Sequence, residues 1–378
     1  MKRLLATAFI IACVAILSGC GTINKNAYHY NPGQPSYSTR LGTWEGFGAP
    51  AKTENGIRAL PDYSSMTNNP RVLWVIADTY GNAKDLDQGW LTAQPWFFDP
   101  VRVRFIEPDG TPDDAPHWHG IGCYSRGWPL LYKMPNIDYV LFRMIDVPYG
   151  EDLLLDFLDA ELPKYNGRVI LSNSWGIPRQ ANGNQPLYEA LWKPWVNRLD
   201  KMANDYSAFT VVFSAGNSGP DFSGVPQCIL TNALMVGATD QAGYIAEFSS
   251  QDTRMFCVAG GDRTYVANDQ KAGEYMIVSG TSFSCPTVAA MVVKLLAENP
   301  TWNRKDAVTF LESQIVPSPN AKGFNTVWGW GELEQFNQKV PHEVWRELGF
   351  PKGFRAMVRN WVTRDRIIDL PQPLGPSK

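Results

Sequence analysis

A hydroxyl at the start of a predicted helix is the first feature of this 378-residue sequence that could do chemistry. Ser282 follows Gly280-Thr281 and opens a helix predicted over residues 282–297, after a short predicted strand. Backbone N–H groups at a helix N-terminus would stabilise negative charge that develops on a substrate carbonyl beside Ser282. Ser282 is therefore a candidate nucleophile, although a serine in this position can also be an ordinary helix cap.

Two further residues could activate such a hydroxyl. The sequence has four histidines, and one of them, His119, stands before a glycine and a predicted helix. An imidazole whose pKa is near neutral can accept a serine proton and return it to a leaving amine. Asp78 follows an apolar run, where a carboxylate could fix the tautomer of that imidazole. Each residue also has a structural alternative, since His119 could be a core or surface histidine and Asp78 a helix or turn cap.

The elements that must position these residues alternate along the chain. Continuous apolar runs, which are typical of buried parallel strands, are separated by segments with helical periodicity. This alternation predicts βαβ units and an α/β fold with a mainly parallel sheet. The predicted strands cover residues 71–77, 139–144, 168–171, 210–213, 233–236 and 276–278, and the predicted helices cover 151–162, 187–205 and 282–297.

The order Asp78, His119, Ser282 along the chain is that of the subtilisin type of serine hydrolase. Gly-Thr-Ser-Phe-Ser-Cys-Pro around Ser282 resembles the subtilase signature Gly-Thr-Ser-Met-Ala-Ser-Pro. His119 with its glycine resembles the family's His-Gly-Thr-His element, and Asp78 with its threonine resembles the Asp-Ser/Thr-Gly element. The resemblance covers residues 71–337. It implies a three-layer α/β/α subtilisin-like fold, peptide-bond hydrolysis through an acyl-enzyme, and these three residues as the catalytic triad.

Two more segments resemble the parts of subtilases that bind substrate. Ser-Ala-Gly-Asn-Ser-Gly, residues 214–219, resembles the segment that carries the oxyanion-hole asparagine, which implies that role for Asn217. Asn-Ser-Trp-Gly, residues 173–176, resembles the strand with which an extended substrate pairs. Asn217 could instead be a turn residue, and 173–176 a plain strand end. The resemblance assigns substrate binding to Ser174, Trp175, Gly176, Ala215 and Gly216.

The later landmarks and the departures from the family pattern complete the resemblance. Residues 235–238 and 248–250 resemble later strands of the family, and Gly329-Trp330-Gly331 resembles the close of its domain. Tyr80 stands where the Asp element has glycine, and Cys285 replaces a serine in the signature segment. Ile121 and Gly122 replace the threonine and second histidine of the His element, and Cys123 follows them. We expect Cys123 to be a small, buried packing residue.

The N-terminal sequence predicts export. Lys2 and Arg3 precede an apolar run from Leu4 to Leu17, which is short for a membrane span of about 20 residues and is typical of a secretory signal. The alternatives are a membrane anchor and a plain signal. Leu-Ser-Gly-Cys at Cys20 resembles the bacterial lipobox, which implies cleavage before Cys20 and lipid on its thiol. Gly21 favours the outer membrane, so the expected location is the bacterial cell envelope, facing the periplasm or the outside.

The predicted organisation has four parts. They are a lipoprotein signal peptide (1–19), a lipidated tether rich in Asn, Gly, Pro and Ser (20–70), the protease domain (71–337) and a C-terminal extension (338–378). The extension carries an arginine cluster that fits a solvated helix face or, less well, a partner- or membrane-binding patch. We expect a monomer.

Composition excludes some functions and leaves others open. A net charge of −3 gives no basic surface for nucleic acid. Export to an oxidising compartment permits disulfides among Cys123, Cys228, Cys257 and Cys285. The sequence leaves their pairing open. The sequence has no Cys-x-x-Cys motif and no tight His/Cys cluster, so nothing in it favours a zinc site. No cofactor is expected for the reaction. Structural calcium is frequent in the family, but no Asp-rich loop has EF-hand-like spacing, so no calcium site is assigned.

Two other functions fit the same sequence. A subtilase fold without activity could serve as a binding scaffold in the cell envelope, and the changes near Asp78 and His119 favour it slightly. A different acyl hydrolase, such as an esterase, is disfavoured because Gly-x-Ser-x-Gly is absent around Ser282.

Overall fold

The structure is a computed structural model. It describes residues 63–79, 102–106, 118–131, 134–145, 147, 149–178, 185–240, 244–267, 275–317 and 323–333. The predicted signal peptide, Cys20, most of the tether, Tyr80 and the C-terminal extension lie outside these residues. Within the described residues, no helix combines the length and the apolar character that crossing a bilayer requires.

Within the residues that the structure describes, nine strands form two sheets. They are β1 (Val72–Asp78), β2 (Val103–Ile106), β3 (Ile137–Arg143), β4 (Val169–Asn173), β5 (Thr210–Ser214), β6 (Ala233–Thr239), β7 (Met255–Gly260), β8 (Thr264–Ala267) and β9 (Tyr275–Val278). The first seven make a parallel sheet in the order β2-β3-β1-β4-β5-β6-β7. The last two form an antiparallel pair. The predicted parallel sheet is therefore confirmed.

Helices cover both faces of the large sheet. They are α1 (Trp118–Gly127), α2 (Gly150–Glu161), α3 (Gln185–Asp205), α4 (Thr281–Glu298) and α5 (Arg304–Gln314). Side chains of α1, α4 and α5 share one apolar cluster with the sheet, and side chains of α2 and α3 share another on the opposite face. This is the three-layer α/β/α arrangement that the sequence predicted.

Strand β1 shows why the sequences of the central strands are continuous apolar runs. Every residue of β1 is buried. Successive side chains of a strand point to opposite faces, so Trp74 and Ile76 enter the cluster of α1 and α4, whereas Leu73 and Val75 enter the cluster of α2 and α3. A strand covered on both faces needs apolar residues at every position. Its last residue, Asp78, is the first polar one and is fully buried.

The topology places Asp78 where a parallel sheet forms a crevice. Strand β1 lies between β3 and β4, and the chain runs outward to β2 and β3 before it returns to β4 on the other side of β1. Such a reversal of strand order opens a crevice at the carboxyl ends of the strands, where α/β proteins bind ligands. The end of β1 is thus the position at which this fold favours a functional group.

Helix α4 is buried on all sides and is held at its carboxyl end by one arginine. Every residue from Thr281 to Ala297 is buried, which fits the mainly apolar sequence of residues 288–297. The guanidinium of Arg168 donates to the carbonyls of Pro300 and Trp302 at 3.0 and 3.2 Å, and also to those of Leu296 and Asn299. A cation that binds unpaired carbonyls stabilises a helix C-terminus. The opposite end of α4, which carries Ser282, is therefore fixed along the helix axis.

The predicted elements differ from the structure at their ends and by four elements that were not predicted. These are strands β2, β7 and β8 and helix α5. Strand β2 is short, lies at the edge of the sheet and is only half-buried, so its sequence has no continuous apolar run. The expectation of a strand at residues 248–250 was wrong, since these residues form a turn before β7. The described residues also include the last part of the predicted tether, where a short 3₁₀ helix (Ser64–Asn68) buries Met66 in the core.

Candidate active site

The structure brings two of the predicted site residues into direct contact. His119 lies in the first turn of α1, and its Nδ1 is 2.7 Å from Oδ1 of Asp78, 41 residues earlier in the chain. The backbone N–H of Thr79 donates to the same oxygen at 2.7 Å. The N–H of Gly120 donates to the carbonyl of Thr79 at 3.2 Å, which ties α1 to the end of β1. The carboxylate can therefore hold the imidazole in one orientation.

Burial and the carboxylate act on the imidazole in opposite directions. Burial lowers the pKa of His119, but the charge of Asp78, the neighbouring Cys123 and the hydrogen bonds to both outweigh it, so the pKa lies well above its ordinary value. An imidazolium that forms during a reaction would be stabilised by the same carboxylate. The pair is thus suited to take up a proton.

Ser282 is the second residue of α4, and it is buried. It is not the helix cap, because that position belongs to Gly280. The Ser282 hydroxyl donates to the carbonyl of Ser174 at 3.3 Å. The carbonyl of Ser282 accepts from the Ser174 hydroxyl at 2.8 Å and from the Cys123 thiol at 3.3 Å. These contacts fix the backbone of the candidate nucleophile.

Cys123 joins the histidine to the serine. Its Sγ lies 3.9 Å from Nδ1 of His119 and 3.3 Å from the carbonyl oxygen of Ser282, 159 residues away. The rings of His119 and Phe283 have centroids 5.6 Å apart. Asp78 and His119 therefore lie near the backbone of Ser282, between the end of β1 and the N-terminus of α4.

Asn217 caps α4 from a neighbouring loop. Its Oδ1 accepts from the backbone N–H and from the hydroxyl of Thr281, both at 2.9 Å. That hydroxyl accepts from the N–H of Gly216 at 3.1 Å. Because Oδ1 is engaged by two donors, the amide N–H₂ of Asn217 is the part that can turn towards a ligand at the helix N-terminus. Sequence reasoning found Asn217 but missed Thr281, which couples the asparagine to the helix.

The residues assigned to substrate binding line the carboxyl ends of β4 and β5. The ring of Trp175 points away from this edge into the core, where its centroid lies 5.5 Å from that of Trp192 and 5.2 Å from that of Phe213. Ala215 is fully buried, whereas Gly176 and Gly216 are half-buried. Trp175 can thus face a ligand through its backbone alone.

The four cysteines of the described residues are all free thiols. Cys123, Cys257 and Cys285 are buried, as expected for small packing residues. Burial raises the pKa of the Cys123 thiol to about 11 and that of Cys285 to about 12. These groups remain protonated at neutral pH, and a protonated thiol is a poor nucleophile. Cys123 is therefore not a competing nucleophile.

One group of side chains could in principle hold a metal ion. Ligand atoms of Asp78, His119 and Cys123 lie within 4.8 Å of one another. An ion at this place would replace the hydrogen bond between histidine and aspartate and would require the thiolate form of Cys123. The raised pKa of that thiol works against it.

A protein-family model matches part of the chain. The model of the subtilase family matches residues 157–331. Over these residues the chain is similar to the subtilase family. The matched span contains Ser174, Asn217 and Ser282, whereas Asp78 and His119 precede it.

Curated relatives show the same subtilase likeness over part of the chain. Alkaline elastase YaB of Bacillus sp. (strain YaB) is 31% identical over 120 residues, which cover 32% of this chain and 31% of that protein. The cuticle-degrading serine protease of Arthrobotrys oligospora is 34% identical over 129 residues, or 32% of each chain. Subtilisin BL of Lederbergia lenta is 34% identical over 121 residues, covering 32% of this chain and 42% of that protein. The chain thus matches less than half the length of these relatives.

Solved structures of two proteases share their fold with most of the chain. A lanthipeptide protease aligns with a TM-score of 0.52 over 75% of this chain and 88% of its own, at 16% identity. The prenylagaramide maturation protease PagA aligns with a TM-score of 0.52 over 76% of this chain and 99% of its own, at 15% identity. At these identities the likeness concerns the fold alone.

Proposed function

We propose that the chain is a serine endopeptidase that hydrolyses peptide bonds through an acyl-enzyme and is anchored to the bacterial envelope by lipid on Cys20. The observation that carries the catalytic part is the 2.7 Å contact between His119 and Asp78, beside the helix N-terminus that carries Ser282. The names of the relatives in Bacillus and Arthrobotrys describe proteases, which supports a polypeptide substrate.

In the proposed mechanism each side chain has one task. His119 takes the proton of Ser282 as its oxygen attacks the scissile carbonyl, and a tetrahedral intermediate forms. The protonated imidazole then gives its proton to the leaving amine, the C–N bond breaks and the acyl-enzyme remains. Water repeats the sequence and releases the acid. Asp78 stays ionised, keeps Nδ1 of His119 as the donor and stabilises the transient imidazolium.

The hydroxyl of Ser282 must rotate for this mechanism. In the structure it donates to the carbonyl of Ser174, and a neutral His119 must accept this proton instead. Rotation about one side-chain bond is a small change, and catalytic hydrogen bonds often tighten only when substrate is bound.

Asn217 is the proposed oxyanion donor, together with the backbone N–H of Ser282. We expect both Asn217→Asp and Asn217→Ala to lower kcat by about 10²–10³, because each lacks the amide donor. The aspartate variant keeps the oxygen that accepts from Thr281, whereas the alanine variant loses the cap, which costs about 1 kcal/mol. Peptide hydrolysis and urea unfolding measured on both variants separate the two roles. Unchanged turnover in the aspartate variant would exclude the amide from catalysis.

The remaining parts of the proposal concern partners and location. An extended polypeptide would add a strand beside residues 173–176. The reaction needs no cofactor, and structural calcium is left without a site. The signal-like N-terminus and the lipobox-like Cys20 support an envelope lipoprotein that works as a monomer, and the mild net charge of −3 supports no nucleic-acid partner.

The test of the function uses the purified full chain. We expect a fluorophosphonate probe to form a covalent adduct that mass spectrometry locates on Ser282, and we expect peptide substrates to be cleaved. A chain that forms no adduct and cleaves no peptide would instead be the inactive scaffold, for which the resting contact of Ser282 with Ser174 is the favouring observation. An adduct with ester but no peptide hydrolysis would indicate an esterase.

A further inference from the structure

A buried glutamine joins the two segments that face the proposed substrate. Gln227 is 2% exposed and begins a short 3₁₀ helix (Gln227–Ile229) between β5 and β6. Its Nε2 donates to the carbonyl of Trp175 at 2.8 Å and to that of Ser214 at 3.1 Å. Trp175 follows the end of β4 and Ser214 ends β5, so one amide bridges the carboxyl ends of two neighbouring strands.

The chemistry of these contacts fixes the orientation of the amide. Two carbonyl oxygens can be satisfied only by the nitrogen, which has two hydrogens to donate. The oxygen Oε1 of Gln227 therefore lies on the other side, where it is buried and finds no donor among the residues that the structure describes. A buried carbonyl without a donor costs free energy, and most buried polar groups in proteins are paired.

This acceptor lies against Gly176, one of the residues that the sequence assigned to substrate binding. A Cβ placed on Gly176 would be 2.3 Å from Nε2 and 2.5 Å from Oε1 of Gln227, so the amide packs directly on the bare Cα of this glycine. Gly176 is half-buried and follows Ser174 by two residues, and the carbonyl of Ser174 is the one that Ser282 contacts. Gln227 thus offers an acceptor beside Gly176, in the same short segment whose Ser174 contacts the candidate nucleophile.

We propose that Gln227 is a specificity-determining residue whose Oε1 accepts a hydrogen bond from a substrate side chain that lies against the segments following β4 and β5. This inference rests on the proposed peptidase function. The favoured side chain, on the residue that supplies the scissile carbonyl, is neutral and ends in a hydrogen-bond donor. A charged donor is disfavoured, because a neutral amide cannot compensate the cost of burying an ion.

The experiment compares substrates that differ by one donor. Peptides carry Tyr or Phe, Gln or Met, and Thr or Val at the residue before the scissile bond, and kcat/KM is measured for the full chain. We expect the donor-bearing peptide to be cleaved about tenfold or more faster than its apolar partner in at least one pair, because an unpaired buried acceptor penalises the apolar analogue. Ratios near one in all three pairs would overturn the proposal.

Two variants assign the preference to Gln227. We expect Gln227→Met to bring the ratio close to one, whereas a purely structural role would slow both peptides of a pair equally. Gln185→Met is the matched control, since this glutamine is also buried and contacts Glu189 and Cys228 instead.

A ratio that persists in Gln227→Met would also overturn the proposal. If Gln227→Met does not fold, the kcat/KM ratios measured with the unmodified chain still test the proposal. A chain that cleaves no peptide refutes the peptidase function, whereas cleavage without donor preference refutes this inference alone.

Discussion

Replacing Ser282 by alanine is expected to lower kcat for peptide hydrolysis by about 10⁶, the loss typical for removal of a triad nucleophile. Without the hydroxyl, no acyl-enzyme can form, and the N-terminus of α4 can contribute only through its N–H groups. The contacts that hold this backbone, from the Ser174 hydroxyl and the Cys123 thiol to the carbonyl of residue 282, do not involve the lost side chain. We therefore expect the variant to fold and to bind peptide.

The measurement is single-substrate hydrolysis together with fluorophosphonate labelling, and Ser284→Ala serves as the control. Ser284 lies two residues further along the same helix, is buried, and donates to the carbonyl of Thr281 at 2.9 Å within the helix. Its replacement should change kcat by less than about tenfold, because its hydroxyl has no place in the proton-transfer chain. Residual activity of Ser282→Ala within tenfold of the unmodified chain would refute its role as nucleophile.

Replacing Asp78 by alanine is expected to lower kcat by about 10⁴ and to shift its pH dependence. Burial lowers the pKa of His119, but Asp78 and Cys123 together outweigh it, so this pKa lies well above its ordinary value. The general base must be neutral, so kcat/KM of the unmodified chain should rise with pH through a midpoint above about 6.5. Without the charge, burial dominates, the pKa of His119 falls, and the midpoint should move to lower pH.

Asparagine at position 78 separates the charge from the hydrogen bond. A single oxygen of Asp78 accepts from Thr79 and contacts His119, and an asparagine Oδ1 could serve both while carrying no charge. We expect Asp78→Asn to lose less activity than Asp78→Ala while its midpoint also moves to lower pH. Complete pH–rate profiles of kcat/KM test this. An unchanged midpoint in both variants would show that Asp78 does not act on the imidazole through its charge.

The same pair links stability to pH. Because the folded-state pKa of His119 is raised, the pair stabilises the fold fully at pH below the unfolded pKa of about 6.5, and this contribution is lost as pH rises through the folded pKa. The protein is then expected to be most stabilised by the pair where it is least active. Activity requires the imidazole to give up the proton that stabilises the pair.

The predictable part of this fold follows from local patterns. Residues 72–77 of strand β1 are continuously apolar and helix α4 is mainly apolar, because each is covered on all sides, and such runs stand out in a sequence. Edge strand β2 is half-buried on both faces and has no comparable signal. The predicted ends of some elements lie one or two residues from the observed ends, where the capping group comes from another part of the chain. Asn217, for example, caps α4.

The sequence by itself determined the residue types, their order and the elements that carry them: Asp78 after a buried strand, His119 at a helix start and Ser282 at another. These signals are local, since each depends on a few neighbouring residues and on the period of the apolar pattern. The tertiary structure alone decided which atoms meet. Cys123 touches both His119 and Ser282, and Gln227 reaches a carbonyl 52 residues away. Such contacts depend on how sheet and helices pack in three dimensions, and no spacing along the chain encodes them.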